Sequence, residues 1–401
     1  MMNLVFKDDQ FGFQLLRLLG ESTSGAADIG EVISTAERIK EGDFKSWCDE
    51  WSKTARELNK IADECYSKGH MVSAKKAYLR ASNYYRTAEF YLHDNPNDPK
   101  IGELYNLSLE CFSYVIKLNK SFIEAVKIPY ENTTLPGHYY RLESSIGPKP
   151  VLIAMNGFDG SKEELYGLAM TALEHGMDCL TFEGPGQGEV IRKQKLFFRY
   201  DYEKVVTPVI DYLLSRKETD PKKMVLLGES LGGYLAPRAA AFEHRLAACI
   251  ANEGVYDFLG EFTNKSNITR EDLLKSINLN PEKINNETYD SAKTNTSMKW
   301  SSSHGMYVFG VDSPAEFISK MGKFYLKGVA EKIQCPTLIL DADDDKLLGG
   351  QAKPLYDVLT CKKDYILFSS EYGAGAHCQV GAKLIGNESI FTWIETILQN
   401  I

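Results

Sequence analysis

The stretch LLGESLGGYLA, residues 226–236, sets a serine among glycines, after an aliphatic run and before a helix-forming one. Gly228-Glu229-Ser230-Leu231-Gly232 fits G-x-S-x-G, a sharp strand-to-helix turn that holds a serine hydroxyl clear of the backbone. Without that context the match would be weak, but MVLLG before it and LGGYLAPRAAAFE after it supply the strand and the helix. Gly228 and Gly232 suit a turn where backbones crowd, and Gly233 gives further room. A serine hydroxyl is a poor nucleophile until a base takes its proton. The pattern therefore requires a histidine, and a carboxylate to orient it.

Among seven histidines, His377 lies in the glycine-rich loop EYGAGAHCQVGA, just past the last aliphatic run. His70, His93 and His138 fall in hairpins, His175 and His244 end helices, and His304 in the irregular SSSHG is the competitor. The carboxylate should follow the penultimate run, CPTLILDADDDKLLGGQ, which offers Asp341, Asp343, Asp344 and Asp345. Enzymes whose serine sits on such a strand-to-helix turn tend to place the acid nine residues on from the position of Pro336, a resemblance that implies Asp345, with Asp344 as the alternative. Four acids at a strand end would also suit a cation, but no histidine or second carboxylate cluster accompanies them, so no metal is expected. Cys378, beside His377, reads as a packing residue rather than a nucleophile.

A developing oxyanion needs donors. One is the backbone N–H of Leu231, directly after the serine at the start of its helix. The second is expected from the loop NGFDGSKEE, where the Phe158 N–H is the candidate, Asn156 opens the loop and Asp159 is placed to face a substrate. The Pro-Gly-x-Gly turn in FEGPGQGE reads as purely structural.

Positioning these groups falls to two composition regimes. From about residue 26 to 120, DEWSKTARELNKIADECYSKGH and MVSAKKAYLRASNYYRTAEFYL carry apolar residues at three-and-four spacing, with Gly69 as a stop between antiparallel helices. A single such pair falls short of the roughly three repeats that a helical solenoid needs to bury a continuous core. From about residue 124, EAVKIPY and HYYRLES flank ENTTLPG as a hairpin. PVLIAM, DCLTF, MVLLG, AACIAN, PTLILDA and YILFS then alternate with helical segments. Continuous apolar strands between helices predict an α/β fold with a mostly parallel sheet covered on both faces, its active site at the carboxyl ends of the strands.

Composition admits an enzyme of this kind. The 401 residues are 43% hydrophobic and 25% charged, as in an ordinary globular protein large enough for one domain plus a second element. A net charge of -9 without a Lys/Arg run argues against nucleic acid. MMNLVFKDDQFGFQLL lacks a basic then apolar leader, and no stretch reaches the roughly 18 apolar residues of a membrane span, so export is not expected. Eight scattered cysteines without a C-x-x-C pair read as reduced thiols of a cytoplasmic protein.

The set GHMVSAKKAYLRASNYYRTAEFYL, NGFDGSKEE, TFEGPGQGE, GESLGGYLAPRAAA and ILDADDDKLLGGQ, followed by GAGAHC, resembles one α/β-hydrolase subgroup. It is the subgroup of 2,6-dihydroxypseudooxynicotine hydrolase and the fungal polyketide-shortening hydrolases of the yellowish-green pigment type. The order Ser230, Asp345, His377 is the order of that fold. The resemblance spans nearly the whole chain. It implies a helical region, residues 1–122, that packs as part of a cap, and a catalytic domain, 123–401, with a cap insertion at about 255–330. It implies hydrolysis of a carbon–carbon bond beside a ketone, or of an ester or acyl bond, in an aromatic or polyketide-like molecule, without a cofactor. Glu253 stands where such enzymes place a glutamate that assists the leaving carbon. Trp300, Met306, Tyr307, Phe309 and Phe317, with Tyr84, Tyr85 and Phe90, are candidates for an apolar pocket or for helix packing. The expected partners are a small-molecule substrate and a second copy of the chain in a homodimer. Two other classes fit the same residues: an acyltransferase using the triad, and a non-catalytic binding module built on the helical region.

Overall fold

The computed structural model describes residues 5–119, 122–142, 147–263 and 268–401. The chain divides into two compact units: Met1–Ile123 with Asn286–Tyr307, and Glu124–Asn285 with Val308–Ile401.

The first unit is helical. Asp8, Asp28, Asp43 and Asp98 cap helices Asp9–Gly20, Ile29–Ala36, Phe44–Ser67 and Pro99–Leu118, each accepting an orphan N–H of the first turn. The long helix Phe44–Ser67 stops before Gly69, whose φ of 79° most side chains resist, and Met71–Glu89 returns against it. The core is aromatic: Phe44 stacks on Tyr91 at 4.3 Å, Trp51 meets Tyr84 at 5.2 Å, and Phe90 stacks on Trp300 of the late segment at 5.0 Å. Tyr84, Tyr85, Phe90 and Trp300 are thus buried within this unit. A polar chain crosses it, in which His93 bonds Glu89 through Nε2 and His304 through Nδ1, both at 2.8 Å.

The second unit carries an eight-stranded sheet. Its strands are β1 (Ile123–Tyr130), β2 (Thr133–Tyr140), β3 (Lys149–Met155), β4 (Asp178–Phe182), β5 (Thr219–Glu229), β6 (Ala248–Asn252), β7 (Thr337–Ala342) and β8 (Lys363–Phe368). Their order is β1-β2-β4-β3-β5-β6-β7-β8. β2 runs antiparallel to β4, and every pair from β4 to β8 is parallel. Every residue of β4, β6 and β7 is buried, which explains the unbroken apolar runs. This is the α/β-hydrolase architecture, and each of the six aliphatic runs is a strand.

The hairpin differs in detail from the expectation. Its turn is only Glu131 and Asn132, with Glu131 at φ 43°, and the TTLPG assigned to the loop belongs to β2. Residues 143–144, the end of the second hairpin segment, lie outside the described residues. Strand β4 pairs with β3 and the chain then crosses back to β5 on the other side of β3. The order reverses there, which opens a crevice at the carboxyl ends of β3 and β5. Asn156 and Ser230 follow those two ends.

Candidate active site

Ser230 has φ 62°, in the left-handed region that side chains avoid unless the surroundings enforce it. Its N–H donates to the Asn252 carbonyl at 2.9 Å, tying the turn to the end of β6, and its own carbonyl accepts from Gly233 N–H at 2.7 Å. The crowding is greatest at Gly228 and Gly233, where a Cβ would lie 2.0 Å from the Gly232 carbonyl oxygen and 1.9 Å from the Glu253 one. Gly232 is less confined, with 3.2 Å to the nearest atom. The sequence had suggested that Gly232, rather than Gly233, was the tight position. The helix Gly232–Ala240 leads away from the turn.

His377 reaches Ser230 from the loop after β8. Its Nε2 lies 2.8 Å from Ser230 Oγ and its Nδ1 2.9 Å from Asp345 Oδ2. With Nδ1–H donated to the carboxylate, Nε2 is left to accept the serine proton. The Asp345 side chain is out of solvent and also accepts the Leu347 and Leu348 N–H groups. Burial pushes its pKa up, but His377 and those N–H donors outweigh burial and hold it below the ordinary carboxylate value.

The neighbouring acids point elsewhere. Asp344 pairs with Lys346, Asp343 holds Ser370, and Asp341 accepts from the Tyr365 hydroxyl at 2.6 Å. His304, the competing base, is bonded to His93 in the helical unit.

On the far side of Asp345 stands Glu253, with φ 62° and 2% exposure. Its Oε1 accepts from the Cys378 N–H at 2.9 Å and lies 3.4 Å from the Gln379 Nε2 donor. Burial first, then the Asp345 charge, raises its pKa well above the usual carboxylate range. The Cys378 thiol is likewise raised by burial, which makes it a poor nucleophile. Glu253, His377 and Cys378 cluster closely, and burial raises the pKa of both the carboxyl and the thiol, which disfavours the deprotonated forms that bind a metal.

Asn156, Gly157 and Phe158 follow β3 and run beside the serine turn. A Cβ on Gly157 would lie 2.4 Å from the Leu231 nitrogen and 2.9 Å from that of Gly232, so the loop backbone comes directly against the Leu231 N–H. Among the described residues, the Leu231 N–H has no hydrogen-bond acceptor. Asn156 Nδ2 braces the loop by donating to the Ser161 carbonyl at 2.6 Å. The Phe158 ring packs among Phe198, Phe258, Phe309 and Phe317. Asp159 is half-buried next to it. A cavity of about 330 Å³ shares Phe198 and Phe309 with this cluster and reaches Arg199, Lys320 and Lys323.

The turn after β4 was read from sequence as purely structural, without the partners its polar residues find. Glu183 accepts the Lys162 N–H at 2.9 Å and, with Glu163, encloses the buried Lys162 ammonium, while Gln187 donates to the Asn156 and Gly157 carbonyls. Polar residues at a buried strand end were the available signal, since such groups are seldom left without partners.

Comparison with known proteins places this geometry. A model of the prolyl oligopeptidase family matches residues 201–311. The chain is 35% identical to 20-hydroxy-prefusarin hydrolase FUS2 of Gibberella moniliformis, over 98% of each chain. It is 31% identical to hydrolase acrC of Aspergillus aculeatus, over 97% of each. The crystal structure of 2,6-dihydroxy-pseudo-oxynicotine hydrolase superposes with a TM-score of 0.74, covering 94% of this chain and 95% of that one at 23% identity. Among the described residues no helix is long and apolar enough to cross a membrane.

Proposed function

The chain belongs to the α/β-hydrolase family of these fungal enzymes and is itself a hydrolase, and from that premise we propose that it is a serine hydrolase acting on a carbonyl of a polyketide-like small molecule. The observation that carries this reading is the unbroken hydrogen-bond chain from Asp345 through His377 to Ser230.

His377 Nε2 takes the Ser230 proton as Oγ attacks the carbonyl carbon, and the oxyanion accepts hydrogen bonds from the Leu231 and Phe158 N–H groups. Collapse breaks either the carbon–carbon bond beside the ketone or an ester bond. The leaving carbanion or alkoxide takes the proton back from His377 and leaves an acyl-serine. Water, deprotonated by His377, releases the acid. The aromatic wall of Phe158, Phe198 and Phe309 suits the apolar body of such a substrate, and Asp159 is its proposed polar contact.

The test is intact mass after treatment with a fluorophosphonate, followed by a screen of aryl ketones and esters. One adduct on the wild type, absent in Ser230→Ala and slow in His377→Ala, is the expected result. A folded wild type that takes no adduct would remove the proposal.

A further inference from the structure

Gln187 is 2% exposed, and its side chain is committed at both ends. Its Oε1 accepts from the Gly184 N–H and the Tyr202 hydroxyl, each at 2.9 Å. Its Nε2 donates to the Asn156 carbonyl and, at 3.2 Å, to the Gly157 carbonyl. The amide cannot turn over without opposing donor to donor and acceptor to acceptor, so its orientation is fixed.

The Gly157 carbonyl and the Phe158 N–H belong to one peptide group. No cis peptide occurs among the described residues, and in a planar trans peptide the two bonds point in opposite directions. A donor that holds the carbonyl on one side therefore aims the N–H to the other. A Cβ on Gly157 would lie 2.4 Å from the Leu231 nitrogen, so the residue whose carbonyl carbon carries the Phe158 nitrogen runs directly beside the Leu231 N–H. Glu183 steadies the turn that presents Gln187, accepting the Glu189 N–H at 2.8 Å besides that of Lys162.

We propose that Gln187 is a positioning residue for hydrolysis: by holding the Asn156 and Gly157 carbonyls it orients the Phe158 N–H as the second oxyanion donor. This rests on the serine-hydrolase reading and on Phe158 as a donor.

The experiment follows the rate of fluorophosphonate adduct formation on the full chain against pH, with circular dichroism and melting on each variant. In that reaction Ser230 Oγ bonds phosphorus, fluoride leaves, His377 takes the serine proton, and the phosphoryl oxygen occupies the oxyanion position. Gln187→Met and Gln187→Glu are expected to slow labelling about 10- to 100-fold, less than the roughly 10²–10³ lost when a donor is deleted outright. The pH of half-maximal rate should not move, because His377 and Asp345 keep their partners. Tyr202→Phe, which frees one anchor of the amide, is expected to lose about 2- to 5-fold, the scale of one hydrogen bond.

Labelling at the wild-type rate in folded Gln187→Met would overturn the proposal, as would slow labelling with a displaced pH midpoint, the mark of general damage. Should both Gln187 variants fail to fold, a wild-type rate in Tyr202→Phe overturns it instead. Failure of the underlying reading looks different: the wild type takes no adduct, or Ser230→Ala still takes one.

Discussion

Ser230, Asp345 and His377 were legible as residues because each has a local signature: a G-x-S-x-G turn, a position counted from Pro336, and a glycine-rich loop after the last strand. The preference for Asp345 over Asp344 rested on that spacing alone, since adjacent acids differ only in where the turn points them. Asp345→Asn should therefore cut activity by about 10⁴-fold through the wrong imidazole tautomer. Asp344→Asn, whose carboxyl pairs with Lys346 rather than with His377, should fall within about twofold, and labelling rates separate the two. Gly157→Ala places a methyl 2.4 Å from the Leu231 nitrogen, in the space of the proposed oxyanion, and labelling should fall by at least about 10²-fold. Glu253 contributes a pH dependence of definite sign. Its pKa is raised by burial and by Asp345, so the native chain releases the proton only above the unfolded chain's value of about 4.3. Native stability then declines as pH rises from there toward the folded value. Glu253→Gln removes this ionisation, so it should melt above the wild type at pH 8, with the gap closing by pH 4. Asp345, lowered by His377, has the opposite sign and withdraws stability as pH falls through its folded value.

At the scale of elements, the strands were readable because burial on both faces writes itself as uninterrupted apolar runs. What could not be read is which strand ends meet. Gln187 and Asn156 are 31 residues apart, and only the crossing of the chain from β4 back past β3 brings their loops together. The same limit applied at the serine turn, where Gly233 is tight because β6 delivers Glu253 against it. Gly233→Ala should cost about 1–3 kcal/mol as an overpacked contact, measured by denaturant unfolding, while Gly232→Ala should cost less.

At the scale of the molecule, the chain passes between its two units at 123/124, 285/286 and 307/308. The insertion after β6 looked like one segment in sequence. Its middle part, Asn286–Tyr307, instead completes the helical unit through Trp300, His304 and Tyr307, which pack on Phe90 and His93. The spacing of those three aromatics suits one helix face, but nothing local says which partner that face has. A chain starting at residue 124 would leave them uncovered. It should bind a hydrophobic dye and aggregate, where the full chain stays monodisperse by light scattering.

The tryptophans have an optical consequence. Trp47, Trp51 and Trp300 are all buried in the helical unit, and Trp393, which donates to Asp364, is the one in the sheet unit. Ultraviolet emission therefore reports mainly on the helical unit, whereas phosphonylation of Ser230 reports on the sheet unit. Following both signals through one urea titration would reveal whether the two units melt together or in succession.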